Sequence, residues 1–258
     1  MELKKKLLAG KTVVGTQITM ISNPNLVWIL KNLGFDFLFI DCEHGGFSYK
    51  EVSAMVSMCR ALQMGALGRP PQNDRQNVQI YADMGTDGLI IPMAESAEMM
   101  EEVVSHARFA PLGVRGVAQG PVTDFKTATD MGDLLRTVNE EFMIIAQIES
   151  KPGVEHMEEI LSVPGVDAVF FGMNDLSVSY GKPGQVKDPM FREILASVMD
   201  CAKRNGKIVG HHFFGYDDLQ WGLEQGVKLI SWRSDITAMQ ATYRTDLANI
   251  KANELYIP

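Results

Sequence analysis

Alternation constrains this chain more than any other feature of its 258 residues: eight short β-rich runs follow one another, each trailed by a helix-like segment. The runs are TVVGTQI (Thr12 to Ile18), FDFLFID (Phe35 to Asp41), GALGR (Gly65 to Arg69) and DGLIIP (Asp87 to Pro92). They continue with MIIAQIE (Met143 to Glu149), DAVFFG (Asp167 to Gly172), KIVGHHF (Lys207 to Phe213) and VKLISWR (Val227 to Arg233). Segments such as SYKEVSAMVSMCRALQ and DPMFREILASVMDCAKRN follow them, many opened by Ser, Asp or Asn and many closed by Gly, the residues that cap helix ends. One interval departs from the rhythm. Between Ala110 and Glu141 a long loop through LGVRGVAQGPVTDF precedes an extra helix, TATDMGDLLRTVNEE. Mostly apolar strands separated by helices imply a parallel sheet covered on both faces. No Pro- or Ser-rich linker divides the units and no GxGxxG follows the first run. The prediction is therefore one α/β domain over residues 1–258, a single (β/α)8 TIM barrel rather than a doubly wound sheet.

A weaker repetition accompanies the rhythm: GFDFLFI from Gly34, GTDGLII from Gly85 and GVDAVFF from Gly165 each place a Gly and an Asp before a strand. The preference of helix-to-strand loops for these residues explains this as well as a duplication does, and both predict the same architecture. With 46% hydrophobic residues the chain can fill such a core. Its 16 methionines, in stretches such as MVSMC and MMEEVV, are read as core filling.

The formal charge is −8, and KKK at Lys4 to Lys6 is the single basic cluster, so no nucleic-acid surface is expected. Cys42, Cys59 and Cys201 are odd in number and lack CxxC spacing, which suggests neither a disulfide framework nor a zinc knuckle and fits the cytoplasm. Neither a signal peptide nor a membrane span is expected.

A barrel carries its chemistry at the C-terminal ends of its strands. There the chain sets Asp41, Glu43 and His44, then Arg69, Gln147 and Glu149, Asn174 and Asp175, His211 and His212, and Trp232 and Arg233. The opposite ends show mostly glycines and turn residues. Glu149 and Asp175, on adjacent strands beside the amide of Gln147, suit a hard divalent cation, although either alone is as readily a helix cap. Arg69, before two prolines, suits a carboxylate or an enolate oxygen. His44, followed by two glycines, is the best general base. No lysine lies inward at a strand end except Lys151 in a loop, so a Schiff base has no good candidate.

The stretches FDFLFIDCEHGGF, GRPPQND, YADMGTDGLIIPM, HARFAPLGVRGV and QIESKPGVEHMEEILSVPGVDAVFFGMNDLS, with their spacing, closely resemble the HpcH/HpaI aldolases from about Gly15 to Met239. That resemblance implies a pyruvate-binding barrel whose C-terminal helix, about 235–254, is exchanged with a neighbouring subunit of a homo-hexamer. It implies reversible cleavage of a 4-hydroxy-2-oxo acid to pyruvate and an aldehyde, dependent on Mg2+, Mn2+ or Co2+ and on no organic cofactor. Carried over, Glu149 and Asp175 become the metal ligands, Arg69 the pyruvate clamp and His44 the acid/base residue, with Asp41 near it. Asp83 matches an aspartate that orients this histidine; by barrel direction it reaches His44 only across a subunit contact. Gln147 and the backbone N–H groups at Gly172, Met173 and Asn174, read as a helix N-terminus, are assigned to the substrate and its carboxylate.

The chain also departs from the family pattern. GMNDLS has Met173 where members often have proline, and AQGPVTDFK replaces a stretch often rich in Arg and aromatics. Arg233 is read as a contact for a distal anion, and His211 or His212 as a hydrogen-bonding partner of hydroxyls or as rim packing. An oxaloacetate-type decarboxylase using the same enolate, or a non-catalytic barrel binding a 2-oxo acid or sugar acid, are the alternatives. A partner carrying coenzyme A would need a basic surface, which the composition does not offer.

Overall fold

The structure, a computed structural model, describes residues 2–123, 125, 130–253, 255 and 256. Its first half runs α1 (Glu2–Leu8), β1 (Val13–Ile18), α2 (Asn25–Asn32), β2 (Phe37–Asp41), α3 (Tyr49–Ala61), β3 (Gly65–Arg69), α4 (Arg75–Asp83), β4 (Gly88–Ile91) and α5 (Ala97–Ala107). After the turn Pro121–Thr123 come α6 (Met131–Glu141), β5 (Met143–Ile148), α7 (Lys151–Glu155), α8 (Met157–Ser162), β6 (Ala168–Phe171) and α9 (Met173–Ser179). The chain closes with α10 (Pro189–Arg204), β7 (Ile208–Phe213), α11 (Tyr216–Glu224), β8 (Leu229–Ser234) and α12 (Asp235–Lys251). The strands form a closed parallel barrel in sequence order, β8 pairing back onto β1. The predicted (β/α)8 barrel is thus the observed one. No helix of the described residues is long and apolar enough to cross a membrane.

Alternation along each strand divides the apolar side chains into two layers. Val13, Phe37, Phe39, Leu67, Met143 and Phe170, among others, fill the barrel interior. Their alternates, such as Leu38, Ile40, Ile144, Val169 and Ile230, pack outward against the helices. The interior is tight: a Cβ at Gly15 would meet the Phe37 ring at 2.6 Å. Helix α1, which the sequence reading did not foresee, closes the lower end by inserting Leu3 and Leu7 into this inner layer.

The lower end also explains the Gly-Asp repetition. Gly34, Gly85 and Gly165 take left-handed φ values of 94°, 83° and 99°. Two residues on, the carboxylates of Asp36, Asp87 and Asp167 accept the N–H of Val14, Ala66 and Ile144 at 3.0, 2.8 and 2.9 Å. Each aspartate carbonyl also accepts from the strand beyond, at Gly65, Met143 and Ile208. One residue therefore ties three strand starts before β2, β4 and β6. Before β8, Gly226 and Lys228 repeat the backbone pattern without the carboxylate. Lys6 pairs with Asp36, and Lys4 and Arg108 pair with Asp167, so ion pairs accompany the glycine turns expected at this end.

Two elements differ from expectation, whereas the helix N-terminus expected at Gly172 to Asn174 is the start of α9. KPGVEHMEEILS breaks at His156 into α7 and α8. The extra helix begins at Met131, capped by Asp130, while Thr127 to Thr129 of that prediction lie outside the described residues.

Candidate active site

The strand alternation that fills the barrel with Phe39, Leu67, Ile145 and Phe170 brings polar residues to the next inward position at the upper end. These are Gln17 on β1, Asp41 on β2, Arg69 on β3, Gln147 on β5, Gly172 after β6 and His212 on β7. Register pairs Asp41 with Arg69 directly. Arg69, buried at 4% side-chain exposure, donates through Nε and Nη2 to the two Asp41 oxygens at 2.9 and 2.6 Å. Burial works against its charge, and Asp41, with Glu43 and Glu149, more than restores it. Its Nη1 lies 3.1 Å from Glu43 Oε2, without the alignment of a hydrogen bond. A guanidinium has five N–H donors, so Arg69 retains donors for a further oxyanion.

Asp41 is saturated. Besides Arg69 it accepts Gln17 Nε2 at 2.9 Å and the backbone N–H groups of Glu43 and His44 at 3.1 and 3.3 Å. It therefore shapes the loop that carries His44 instead of holding the imidazole. Gly45 completes this turn: a Cβ there would stand 2.2 Å from the Asp41 carbonyl. The His44 side chain is 59% exposed at the rim, its Nε2 4.0 Å from Glu43 Oε2.

Glu149 lies beneath, 2% exposed. Its Oε1 accepts the Met93 N–H at 2.8 Å and its Oε2 accepts the Gln147 amide. Burial pushes this carboxyl up to about 7; Met93 and Arg69 pull against that, and Glu43 and Asp175 add to it. Glu43 is itself raised, first by burial. Met93 reaches Glu149 from a left-handed φ of 50°, an uncommon conformation for a residue with a side chain. The same peptide unit accepts Asn73 Nδ2 at the Pro92 carbonyl, 2.8 Å away. Asn73 and Met93, together with Gln17, are positioning residues absent from the sequence reading. Gly172 is required for space: a Cβ would come within 2.1 Å of Glu149 Oε2.

Glu149 and Glu43 are desolvated and repelled by each other and by Asp175, and the Gln147 Oε1 and Glu43 Oε2 atoms are shielded and unanswered among the described residues, oxygen donors of the kind a hard divalent cation takes. No three His, Cys, Asp or Glu side chains of the described residues close on one point, so water and substrate would have to complete its shell.

The other predicted residues divide. Asn174 and Met173 open α9 after Gly172, which supplies no side-chain cap. Arg233 sits where the β1–β8 register shifts, with φ 50° and its guanidinium 5.6 Å from the Trp232 ring. Asp83 ends α4 and takes Arg115 Nε and Nη2 at 3.0 and 2.6 Å; within the chain this pairs it with the long loop, not with His44. That loop's Asp124 and Lys126 lie outside the described residues.

With this geometry in hand, comparison with known proteins is specific. A hydroxypyruvate/pyruvate aldolase of Roseobacter denitrificans is 31% identical over 96% of both chains. A 2-keto-3-deoxy-L-rhamnonate aldolase of Klebsiella pneumoniae is 27% identical over 98% of this chain and 97% of its own. The crystal structure of an HpcH/HpaI aldolase from Desulfitobacterium hafniense superposes with a TM-score of 0.96 at 38% identity, covering 99% of each chain. Residues 19–241 match the HpcH/HpaI aldolase/citrate lyase family, and the chain belongs to it.

Proposed function

We propose that this carbon–carbon lyase of the aldolase type cleaves 4-hydroxy-2-oxo acids reversibly to pyruvate, or a close analogue, and an aldehyde. The observation that carries the reading is the buried Glu149 carboxyl, held by the Met93 N–H and the Gln147 amide, with Glu43 and Asp175 repelling its charge and Arg69 favouring it. Glu149 and Asp175 would hold Mg2+, Mn2+ or Co2+, which supplies Lewis-acid polarisation of the 2-oxo acid when bound. Arg69, fixed by Asp41, presents its remaining N–H donors to the oxygen that gains charge as the C3–C4 bond breaks. His44, at the open rim, takes the proton of the C4 hydroxyl on the acceptor side. The N–H groups at the start of α9, which have no partner within the helix, are suited to the substrate carboxylate. Arg233 remains the candidate for a distal anion and Asp83 for an orienting contact made from a neighbouring subunit.

Assembly belongs to the same reading. Asp235 is the single buried residue of α12, and Met239, Tyr243, Leu247 and Ile250 are exposed along it. Exchange of this helix between subunits of a homo-hexamer would cover them. The reaction is tested by following pyruvate release from a panel of 4-hydroxy-2-oxo acids with each cation. Release that stops on chelation is expected; turnover indifferent to chelation contradicts the reading.

A further inference from the structure

Strand alternation separates the two neighbouring histidines of β7. His211 points outward, its ring edge-on to Phe171 and Phe213 at 5.6 and 4.6 Å, and serves as packing. His212 points inward, and no step above uses it. Its Nδ1 lies 2.8 Å from Ser231 Oγ on β8, and its ring meets Phe214 at 4.4 Å. The ring is thereby held on the inner side of β7 with Nε2 shielded and without a hydrogen-bond partner among the described residues. Leaving such an atom unanswered costs free energy that a ligand can recover. Arg69 and Asp41 are its charged neighbours, and burial, reinforced by Arg69, holds the imidazole neutral at physiological pH.

Beside the Arg69 guanidinium, a neutral imidazole is a good partner for an uncharged oxygen. The ring offers either N–H or a lone pair at Nε2, depending on which way the Ser231 bond runs. A hydroxyl satisfies both cases, since it donates and accepts. Depth decides which part of the substrate carries it. His44 stands exposed at the rim, where an aldehyde enters, whereas His212 Nε2 lies shielded in the layer of Arg69 and Gln147, where the 2-oxo acid must lie.

We propose that His212 is a specificity-determining residue for the carbon donor: Nε2 hydrogen-bonds a hydroxyl on the carbon beside the ketone, so the site favours a 3-hydroxy-2-oxo acid over pyruvate. The proposal rests on the 2-oxo acid reading of this site. A site built around a substrate hydroxyl discriminates strongly against the analogue lacking it.

The test is calorimetric titration of the Mn2+-loaded protein with 3-hydroxypyruvate and with pyruvate, in wild type and His212→Leu, without an aldehyde. Wild type is expected to bind the hydroxylated acid at least about tenfold more tightly, a ratio that falls to about one in the variant. A ratio near one in wild type, or one unchanged by the substitution, overturns the proposal. Should His212→Leu not fold, Ser231→Ala frees the ring and is expected to lower the same ratio; an unchanged ratio there also overturns it. Exchange of pyruvate methyl protons into D2O tests the aldolase reading separately. Exchange with no His212-dependent preference removes the proposal and leaves the reading. A His212-dependent preference without exchange does the reverse.

Discussion

Glu149 is a carboxyl held where a carboxylate is hard to keep, and its behaviour with pH follows from that. Cation binding needs the ionised form, and burial has raised the carboxyl to about 7. Affinity for Mn2+ is therefore expected to fall about tenfold per pH unit below that point, measured by titration between about pH 8 and pH 6. In the cation-free protein the sign reverses. An acid whose folded value lies above its unfolded value, 4.5 here, costs stability above the folded value and regains it as the pH falls. Glu149→Gln is thus expected to exceed wild type by roughly 1–3 kcal/mol at about pH 8, a gap that closes by about pH 5. An unchanged gap contradicts the assignment. Glu149, Asp41 and Arg69 were legible in the sequence because each ends an apolar run. Asn73 and Met93 were not: they act through one peptide plane, and no residue pattern announces a left-handed φ. The two β7 histidines were left open together because inward and outward positions exchange with one residue of register.

Among the elements, the end of β6 and the lower loops are the most exposed to a single change. A methyl group at Gly172 would stand 2.1 Å from Glu149 Oε2, far inside contact distance. Gly172→Ala is expected to lower Mn2+ affinity at least tenfold while the far-ultraviolet circular dichroism of the barrel is kept. Retained affinity would show that Glu149 does not hold the cation. At the lower end, Asp167→Ala strips Arg108 and Lys4 of their carboxylate and frees the Ile144 N–H. A loss of about 3 kcal/mol in denaturant unfolding is expected, since a buried guanidinium is left unpaired, against less than about 0.5 kcal/mol for Lys228→Ala. Equal effects would refute the three-strand tie. The Gly-Asp repetition was visible in the sequence, but its purpose needed the closed sheet, where the same residue meets strands on both sides. The break at His156 and the plug α1 escaped because segments of five to seven residues carry too little periodicity to be read.

For the molecule as a whole, the barrel follows from eight apolar runs with helices between them, and assembly is what one chain cannot display. The exposed apolar row on α12 has no cover within the chain among the described residues. Native mass is expected to show a hexamer for wild type and smaller species for Leu247→Glu; a monomeric wild type contradicts helix exchange. The Glu149 and Asp175 carboxylates, with a divalent cation, are expected to make a three-carbon 2-oxo acid surrender a proton from the carbon beside its ketone. Nuclear magnetic resonance of pyruvate in D2O, with the protein and Mg2+ but no aldehyde, reads this step alone. Loss of the methyl proton signal is expected with wild type, and none after chelation or with Glu149→Ala. A signal that persists with wild type, or decays equally without the cation, contradicts it.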